Sequence, residues 1–181
     1  MEIRTERLLL REIDEAGDWP AVLAYHNDPR YARFNDRDAE TEDEVRRFLH
    51  RITEWHGPEH RGFHNLAVTL PETGEMIGIA GMRQRDPRQP RGDMGYELSP
   101  AHWGRGYATE AARAMLDFGF RALRLHRVHA SCLAENAPSV RVLERLGMRL
   151  EARLRQHEWV RGRPRDELVY AILAEEWRAA P

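Results

Sequence analysis

Three sets of polar groups in this chain have the types and spacing to act on a phosphate or a carbonyl. The first is the run that follows Leu98, Ser99-Pro-Ala-His-Trp-Gly-Arg-Gly-Tyr-Ala-Thr-Glu-Ala. Gly104 and Gly106 permit a tight turn there, and a helix begins beyond it. The first-turn N–H groups of such a helix lack intrahelical partners and face outward along the axis, where a phosphate or pyrophosphate is received. A plain connector is the other reading of the same glycines. The second set is Asn136 and Ser139. If the strands before the two helices are neighbours, one helix start binds anionic oxygens while Asn136 or Ser139 contacts a less charged part of the same ligand. Ser139 can also donate to a departing thiolate or merely satisfy its own helix start. The third is Glu97, which interrupts an apolar strand end. It can take a proton from an amine directly or through water, or serve as a local structural contact.

Other chemistries are poorly served. All 28 cationic Lys and Arg residues are arginine, which removes Schiff-base lysine chemistry and the lysine of a P-loop. The glycine run is no full dinucleotide-binding fingerprint either, since it follows several antiparallel elements. Cys132, the single cysteine, reads as a small buried strand residue, with nucleophile as the alternative. His56, His60 and His64 repeat every fourth residue, but Gly57, Pro58 and Gly62 break the helix that would align them on a metal. His126 and His129 project to opposite faces of a strand. His102, beside the glycine turn, is a further catalytic candidate. No metal site is expected.

The 181 residues, 41% hydrophobic, suffice for a sizeable core, and residues 1–181 are expected to form one domain. The formal net charge of -2 disfavours a general nucleic-acid binder. The chain begins without a secretory apolar run and has no stretch of about 18 apolar residues, so a soluble, cytoplasmic protein with no membrane partner is expected.

The elements that must position these groups follow from the hydrophobic pattern. Residues 7–13 read as a strand, and Asp14 as a cap for a helix through Tyr25, which Asn27-Asp-Pro ends. An irregular stretch with Tyr31 and Phe34 runs to Ala39, as a lid or an ordinary connection. Thr41 and Glu44 have capping-box spacing ahead of a helix carrying Val45, Phe48, Leu49 and Ile52. Strands are expected over 63–70 and 75–82 around Pro71-Glu-Thr-Gly, and over 93–98 after a loop. The helix after Gly106 carries an apolar face of Ala108, Ala111, Ala112, Met115 and Phe118. A strand follows over 127–133. The short helix after it starts at Asn136 with Pro138 inside, docks by Val140, Leu143 and Leu146, and stops at Gly147. Two antiparallel strands, about 149–160 and 167–173, complete the chain.

Taken together, Arg7-Leu-Leu-Leu-Arg, Met94-Gly-Tyr-Glu-Leu, Trp103-Gly-Arg-Gly-Tyr-Ala-Thr-Glu-Ala and Asn136-Ala-Pro-Ser-Val-Arg-Val-Leu-Glu-Arg-Leu-Gly-Met resemble the GCN5-related N-acetyltransferase (GNAT) family. The resemblance is strongest to its ribosomal-protein N-terminal acetyltransferase branch, and Asp166, Val169 and Tyr170 also match. It implies an α+β fold: a mixed, mainly antiparallel seven-stranded sheet flanked by about four helices, with the fourth and fifth strands splayed to admit the pantetheine arm of acetyl-CoA. It implies that Leu98, Arg105, Gly106, Tyr107, Ala108, Thr109, Asn136 and Ser139 bind this co-substrate, and that Ser139 assists thiolate departure. Trp103 replaces the motif's usual polar residue and is read as packing. The implied reaction is acetyl transfer to a primary amine, with Glu97 or ordered water removing the proton. A peptide or protein α-amine is the favoured acceptor, a small-molecule amine or antibiotic the runner-up, and a non-catalytic acyl-CoA-binding module the third reading. Tyr31, Phe34 and the 84–92 loop are candidates for the acceptor side, and Trp159 for a homodimer contact.

Overall fold

The computed structural model describes residues 1–36, 38–54 and 62–179, with side chains through Trp177. Along the chain lie β1 (Glu2–Arg4), β2 (Leu9–Glu12), α1 (Trp19–His26), α2 (Pro29–Ala32), α3 (Glu42–Glu54), β3 (Phe63–Thr69), β4 (Met76–Arg83) and β5 (Arg91–Leu98). A short 3₁₀ turn, Pro100–His102, leads to α4 (Tyr107–Arg121), β6 (Arg127–Leu133), α5 (Ala137–Arg145), β7 (Arg149–Val160), β8 (Arg163–Leu173) and α6 (Ala174–Ala179). One open sheet in the order β1-β2-β3-β4-β5-β6-β8-β7 takes in all the strands. Its pairs are antiparallel except β5 with β6.

The central strands read as continuous apolar runs because both faces of the sheet are covered. Leu66 and Val68 join Ile77, Ala80 and Met82 in a core closed by Ala111, Ala112, Met115 and Leu116 of α4 and by Leu143 of α5. Ala67, Met76 and Ile79 meet Val22 and Tyr25 of α1 and Val45, Leu49 and Ile52 of α3 on the opposite face. The sheet thus separates the helix that begins at the glycine turn from the helices that cover Glu97.

Local signals placed most elements. At the start of α3, the Glu44 carboxylate accepts from the Thr41 amide at 2.7 Å, and the Glu44 amide donates back to Thr41 Oγ1 at 3.4 Å, closing the capping box. Residues Arg161 and Gly162, both at positive φ, make the two-residue turn between β7 and β8. Among the described residues the strands number eight against the seven expected, the extra being the three-residue β1. The helices number six among the described residues against about four, the extra being α2 and α6. Each is too short for a periodic signal. Residues 29–32, expected to be irregular, form α2 because the Asp28 side chain accepts from the Arg30 amide and Pro29 presets the first turn. Asp14 does not cap α1. It organises a turn, accepting from the Ala16 amide at 3.1 Å, and α1 begins at Trp19, after Asp18. That buried carboxylate is held by both terminal nitrogens of Arg11, at 2.8 and 2.7 Å.

Candidate active site

The site begins with a strand pair that stops early. β5 and β6 are in register only at Arg91/Arg127, Gly92/Val128 and Asp93/His129. Beyond them β5 remains with β4 to Leu98, and β6 remains with β8 to Leu133. A wedge therefore opens between two well-anchored strands. In the sheet as counted from β2, these are the fourth and fifth strands, the pair expected to splay. A cavity of about 280 Å³ occupies this end of the sheet, lined by the ends of β5, α2, α4 and α5.

One side of the cavity is mostly backbone. Gly104 and Gly106 adopt φ of +77° and +83°, a region costly for residues with a Cβ. Among the described residues no side chain caps α4 at Gly106, so the amides of Tyr107, Ala108 and Thr109, residues that line the cavity, lack an intrahelical acceptor. The turn is tied from outside by Arg7. Its Nη1 donates to the Arg105 carbonyl at 3.0 Å, its Nε donates to Glu110 at 2.8 Å, and its guanidinium lies 4.9 Å from the centre of the Tyr107 ring. Thr5 Oγ1 donates to the same Glu110 carboxylate at 2.6 Å. Trp103 packs on the scaffold as expected, its Nε1 donating to the Leu98 carbonyl at 2.8 Å.

The α5 start faces this turn. Asn136 Oδ1 accepts from the Ser139 amide at 3.2 Å, so Asn136 caps the helix with its oxygen. Ser139 Oγ lies 2.8 Å from the Tyr96 hydroxyl. Burial holds the Tyr96 phenol well above its ordinary range, the Ser139 contact only partly opposing it, so it remains a neutral hydroxyl. Arg141 and Arg145, one turn apart on α5, also line the cavity.

The other side is made of side chains. Tyr25 Oη and Tyr31 Oη donate to the two oxygens of Glu97 at 2.7 and 2.5 Å, and His26 Nε2 lies 3.2 Å from Oε1. The same imidazole meets Glu40 through Nδ1 at 2.5 Å, stacks on Tyr31 at 5.1 Å between centroids, and is wholly buried. Burial acts to raise the Glu97 carboxyl. The His26 bond and charge, with the two tyrosine hydroxyls, outweigh it and hold the group at about 2. For His26, burial pushes downward and the two carboxylates more than reverse it, so the imidazole lies above its ordinary range. Gly78 brings β4 close behind Glu97, since a Cβ there would meet the Glu97 carbonyl oxygen at 2.2 Å.

Glu97, Leu98, Gly106, Tyr107, Ala108, Thr109, Asn136 and Ser139 thus line one cavity, while Arg105 stands at the turn outside the lining, its carbonyl taken by Arg7. Tyr31 and Phe34 line it too. The 84–92 loop does not. It ends within the first two residues of β5, and Glu97 lies five residues beyond Gly92, roughly 17 Å along an extended strand. His102 lines the cavity with Nδ1 buried and unpartnered among the described residues. Cys132 is half-buried, and burial raises its thiol against a partial opposing effect of Ser139. His56 and His60 lie outside the described residues. His64 belongs to β3 and packs edge-on to Phe118 at 4.8 Å. His129 Nδ1 meets the Gly92 carbonyl at 3.0 Å, while His126 is exposed. His26, Glu40 and Tyr96 gave no sequence signal as site residues, because only the folded sheet brings them to Glu97 and Ser139. Arg141 and Arg145 had one available, a four-residue spacing within the helix after Asn136 that puts both on one face.

The family model of the acetyltransferase (GNAT) domain matches residues 7–149. The chain belongs to the GNAT family. An N-acetyltransferase of Bacillus subtilis, YnaD, is 33% identical over 182 residues, covering 98% of this chain and 99% of its own. The solved structure of a GNAT-family acetyltransferase from Bacillus anthracis superposes with a TM-score of 0.83 at 32% identity, covering 97% of this chain and 99% of that one. A ribosomal-protein-S5-alanine acetyltransferase from Vibrio fischeri, 22% identical with full coverage of both chains, shares the fold at a TM-score of 0.82. This GNAT chain is accordingly an N-acetyltransferase.

Proposed function

We propose that this protein transfers the acetyl group of acetyl-CoA to a primary amine, and that a peptide or protein N-terminal α-amine is its acceptor. The observation that carries the proposal is one cavity with two unlike ends. Uncapped amides of α4 line one end, and the Glu97 carboxylate stands at the other.

The residues present fit acetyl-CoA. The amides of Tyr107, Ala108 and Thr109 would hold its pyrophosphate in the cradle that Gly106 leaves open, with Arg141 and Arg145 supplying positive charge. The β5 main chain past Asp93, unpaired on its β6 side, offers hydrogen bonds to an extended arm. Bound acetyl-CoA supplies the activated acetyl thioester. Ser139, holding its hydroxyl against Tyr96, stabilises the departing thiolate. Glu97 first holds the acceptor as an ammonium and then accepts its proton. An α-ammonium has a pKa of about 8 and a lysine ammonium about 10.4. The weaker the base, the more the former is favoured, which supports an α-amine over a lysine or polyamine. The branch resemblance and the likeness of fold to the S5-alanine enzyme support the same acceptor.

An assay of acetyl-CoA against a library of peptides and small amines, reading free thiol and product mass, tests this. Transfer to peptide α-amines is expected. Transfer confined to small amines would replace the acceptor reading, and specific acetyl-CoA binding without any transfer would favour an acyl-CoA-binding module. No helix among the described residues is long and apolar enough to cross a membrane, and a cytoplasmic location is part of this proposal. So is a homodimer, supported by the edge strand β7 with Leu150 and Trp159 exposed. Sedimentation over a concentration series reads it.

A further inference from the structure

A carboxylate that already accepts from two tyrosine hydroxyls and faces a histidine is a poor resting place for a proton taken from an ammonium. The side chains behind Glu97 resolve the difficulty. We infer that His26, set between Glu97 and Glu40, is the store that receives the acceptor's proton, and that Glu40 is the positioning residue that makes it one. This rests on the acetyl-transfer reading above and concerns the route of the proton within it.

The geometry needs no titration to make the case. A neutral imidazole has one N–H and one lone pair. With Nε2 facing Glu97 at 3.2 Å and Nδ1 facing Glu40 at 2.5 Å, either tautomer leaves a lone pair against a carboxylate oxygen. Only the imidazolium satisfies both contacts, so the neutral ring has a strong demand for one more proton. Its surroundings prevent rotation away from this arrangement. Tyr31 of α2 stacks on it, Tyr25 of α1 meets it edge-on at 4.9 Å, and Phe48 of α3 closes a third side at 5.4 Å. Glu40 is fixed in turn, because Asn27 Oδ1 accepts from its amide at 2.7 Å and Asn27 Nδ2 donates to its carbonyl at 2.9 Å. Among the described residues, the titratable groups facing the imidazole are Glu97 from β5, Glu40 ahead of α3, Tyr25 and Tyr31.

The transfer balances. An N–H bond of the acceptor ammonium breaks as an O–H bond forms at Glu97. That bond then breaks as an N–H bond forms at Nε2 of His26, leaving Glu97 a carboxylate and His26 a cation between two anions. When the product leaves, the Nε2 proton returns through Glu97 to solvent entering the cavity, while Glu40 keeps Nδ1 protonated, so the ring regains the lone pair that faces Glu97. Glu97 and His26 thus titrate as one unit, and the basicity the acceptor meets is that of the histidine. Turnover requires the neutral ring, so activity rises with pH through the His26 titration.

Two measurements test this. In protein labelled at histidine carbon and nitrogen, the His26 resonance, assigned by its loss in His26→Gln, is titrated in wild type and Glu40→Gln. Removing one facing carboxylate should lower its midpoint by about one unit or more. An unmoved midpoint would overturn the positioning role of Glu40, with or without a known acceptor. The second is kcat against pH for two peptides whose terminal amines differ in pKa. The rising limb should stay at the His26 midpoint for both peptides, move to lower pH in Glu40→Gln, and disappear in His26→Gln. A limb that follows the peptide's own amine and is the same in Glu40→Gln would sink the proton store. Glu40→Gln keeps the size of a partly exposed side chain, so it decides the question even if His26→Gln fails to fold. A wild-type protein that binds acetyl-CoA and acetylates no amine counts against the proposed function instead, and the resonance titration still decides the role of Glu40.

Discussion

The two ends of the cavity are built from different materials. The α4 end takes its donors from consecutive main-chain amides, Tyr107 to Thr109, after a glycine in the left-handed region. The Glu97 end takes its groups from side chains on α1, α2, β5 and the segment before α3, up to 72 residues apart in the chain. A main-chain site should ignore most side-chain changes and fail when the backbone is bent. A side-chain site should do the reverse. The contrast also assigns the steps: affinity for the anionic carrier at one end, and the rate of proton removal at the other.

The change expected to separate the ends most sharply is Glu97→Gln. It removes the proton acceptor and the anion between Tyr25, Tyr31 and His26, and general-base catalysis contributes roughly 10²–10⁴-fold. Single-turnover transfer should fall by at least about a hundredfold on that scale, with acetyl-CoA affinity by calorimetry unchanged. A wild-type rate and pH profile in the variant would remove Glu97 from the chemistry. Gly106→Val should give the mirror image. Valine pays about 1–2 kcal/mol at positive φ, and its Cβ would meet Arg7 Nη2 at 3.3 Å. Relaxing that strain swings the following amides, so affinity should drop about tenfold or more, while the pH profile of the remaining activity stays in place. Thr109→Ala beside it should bind nearly as wild type, because the amide survives.

These unlike materials also explain what was legible in the sequence. The glycine turn, the helix after it and the Asn136 cap are local: each depends on residues within four or five positions, which leave a pattern in the chain. The α4 end and its partner helix could therefore be read almost residue by residue. The Glu97 end had two visible members, Glu97 and Tyr31. Glu97 interrupts an apolar strand, but nothing near it announces Tyr25, His26 or Glu40, whose approach requires α1, α2 and α3 to pack on the sheet face that Ala67, Met76 and Ile79 supply. His26 in particular looks like the last polar residue of a short helix, and only the folded cluster shows it buried between carboxylates. The 84–92 loop, a candidate for the acceptor side, is separated from Glu97 by strand direction, which leaves no local pattern and puts it at the far end of β5.

Ser139 belongs to both ends and sharpens the comparison at intermediate size. Its amide serves the α5 cap and its hydroxyl faces Tyr96. Ser139→Ala keeps the cap and removes only the hydroxyl. A hydrogen bond to a developing charge is worth about 1.5–3 kcal/mol, so transfer should slow about tenfold or somewhat more, with acetyl-CoA binding little changed. The defect should widen when the leaving thiol is made less acidic in acetyl-thioester analogues. Equal slowing for every thiol would detach Ser139 from the leaving group.

The smallest expected effect tests whether the main-chain end is preorganised from outside. Arg7 touches none of the proposed phosphate-binding amides, yet it ties the Arg105 carbonyl to Glu110 across the turn. The Arg7 side chain is 45% exposed, so solvent screens its ion pair with Glu110, and such exposed pairs contribute about 0–1 kcal/mol. Arg7→Gln should therefore raise the KM for acetyl-CoA only about threefold to fivefold, leaving kcat and the KM for the amine alone. An acetyl thioester of pantetheine, which has no pyrophosphate, should show no such loss. If its KM rises in parallel, Arg7 supports the general packing of β2 against α4, and the amides after Gly106 hold their positions without it.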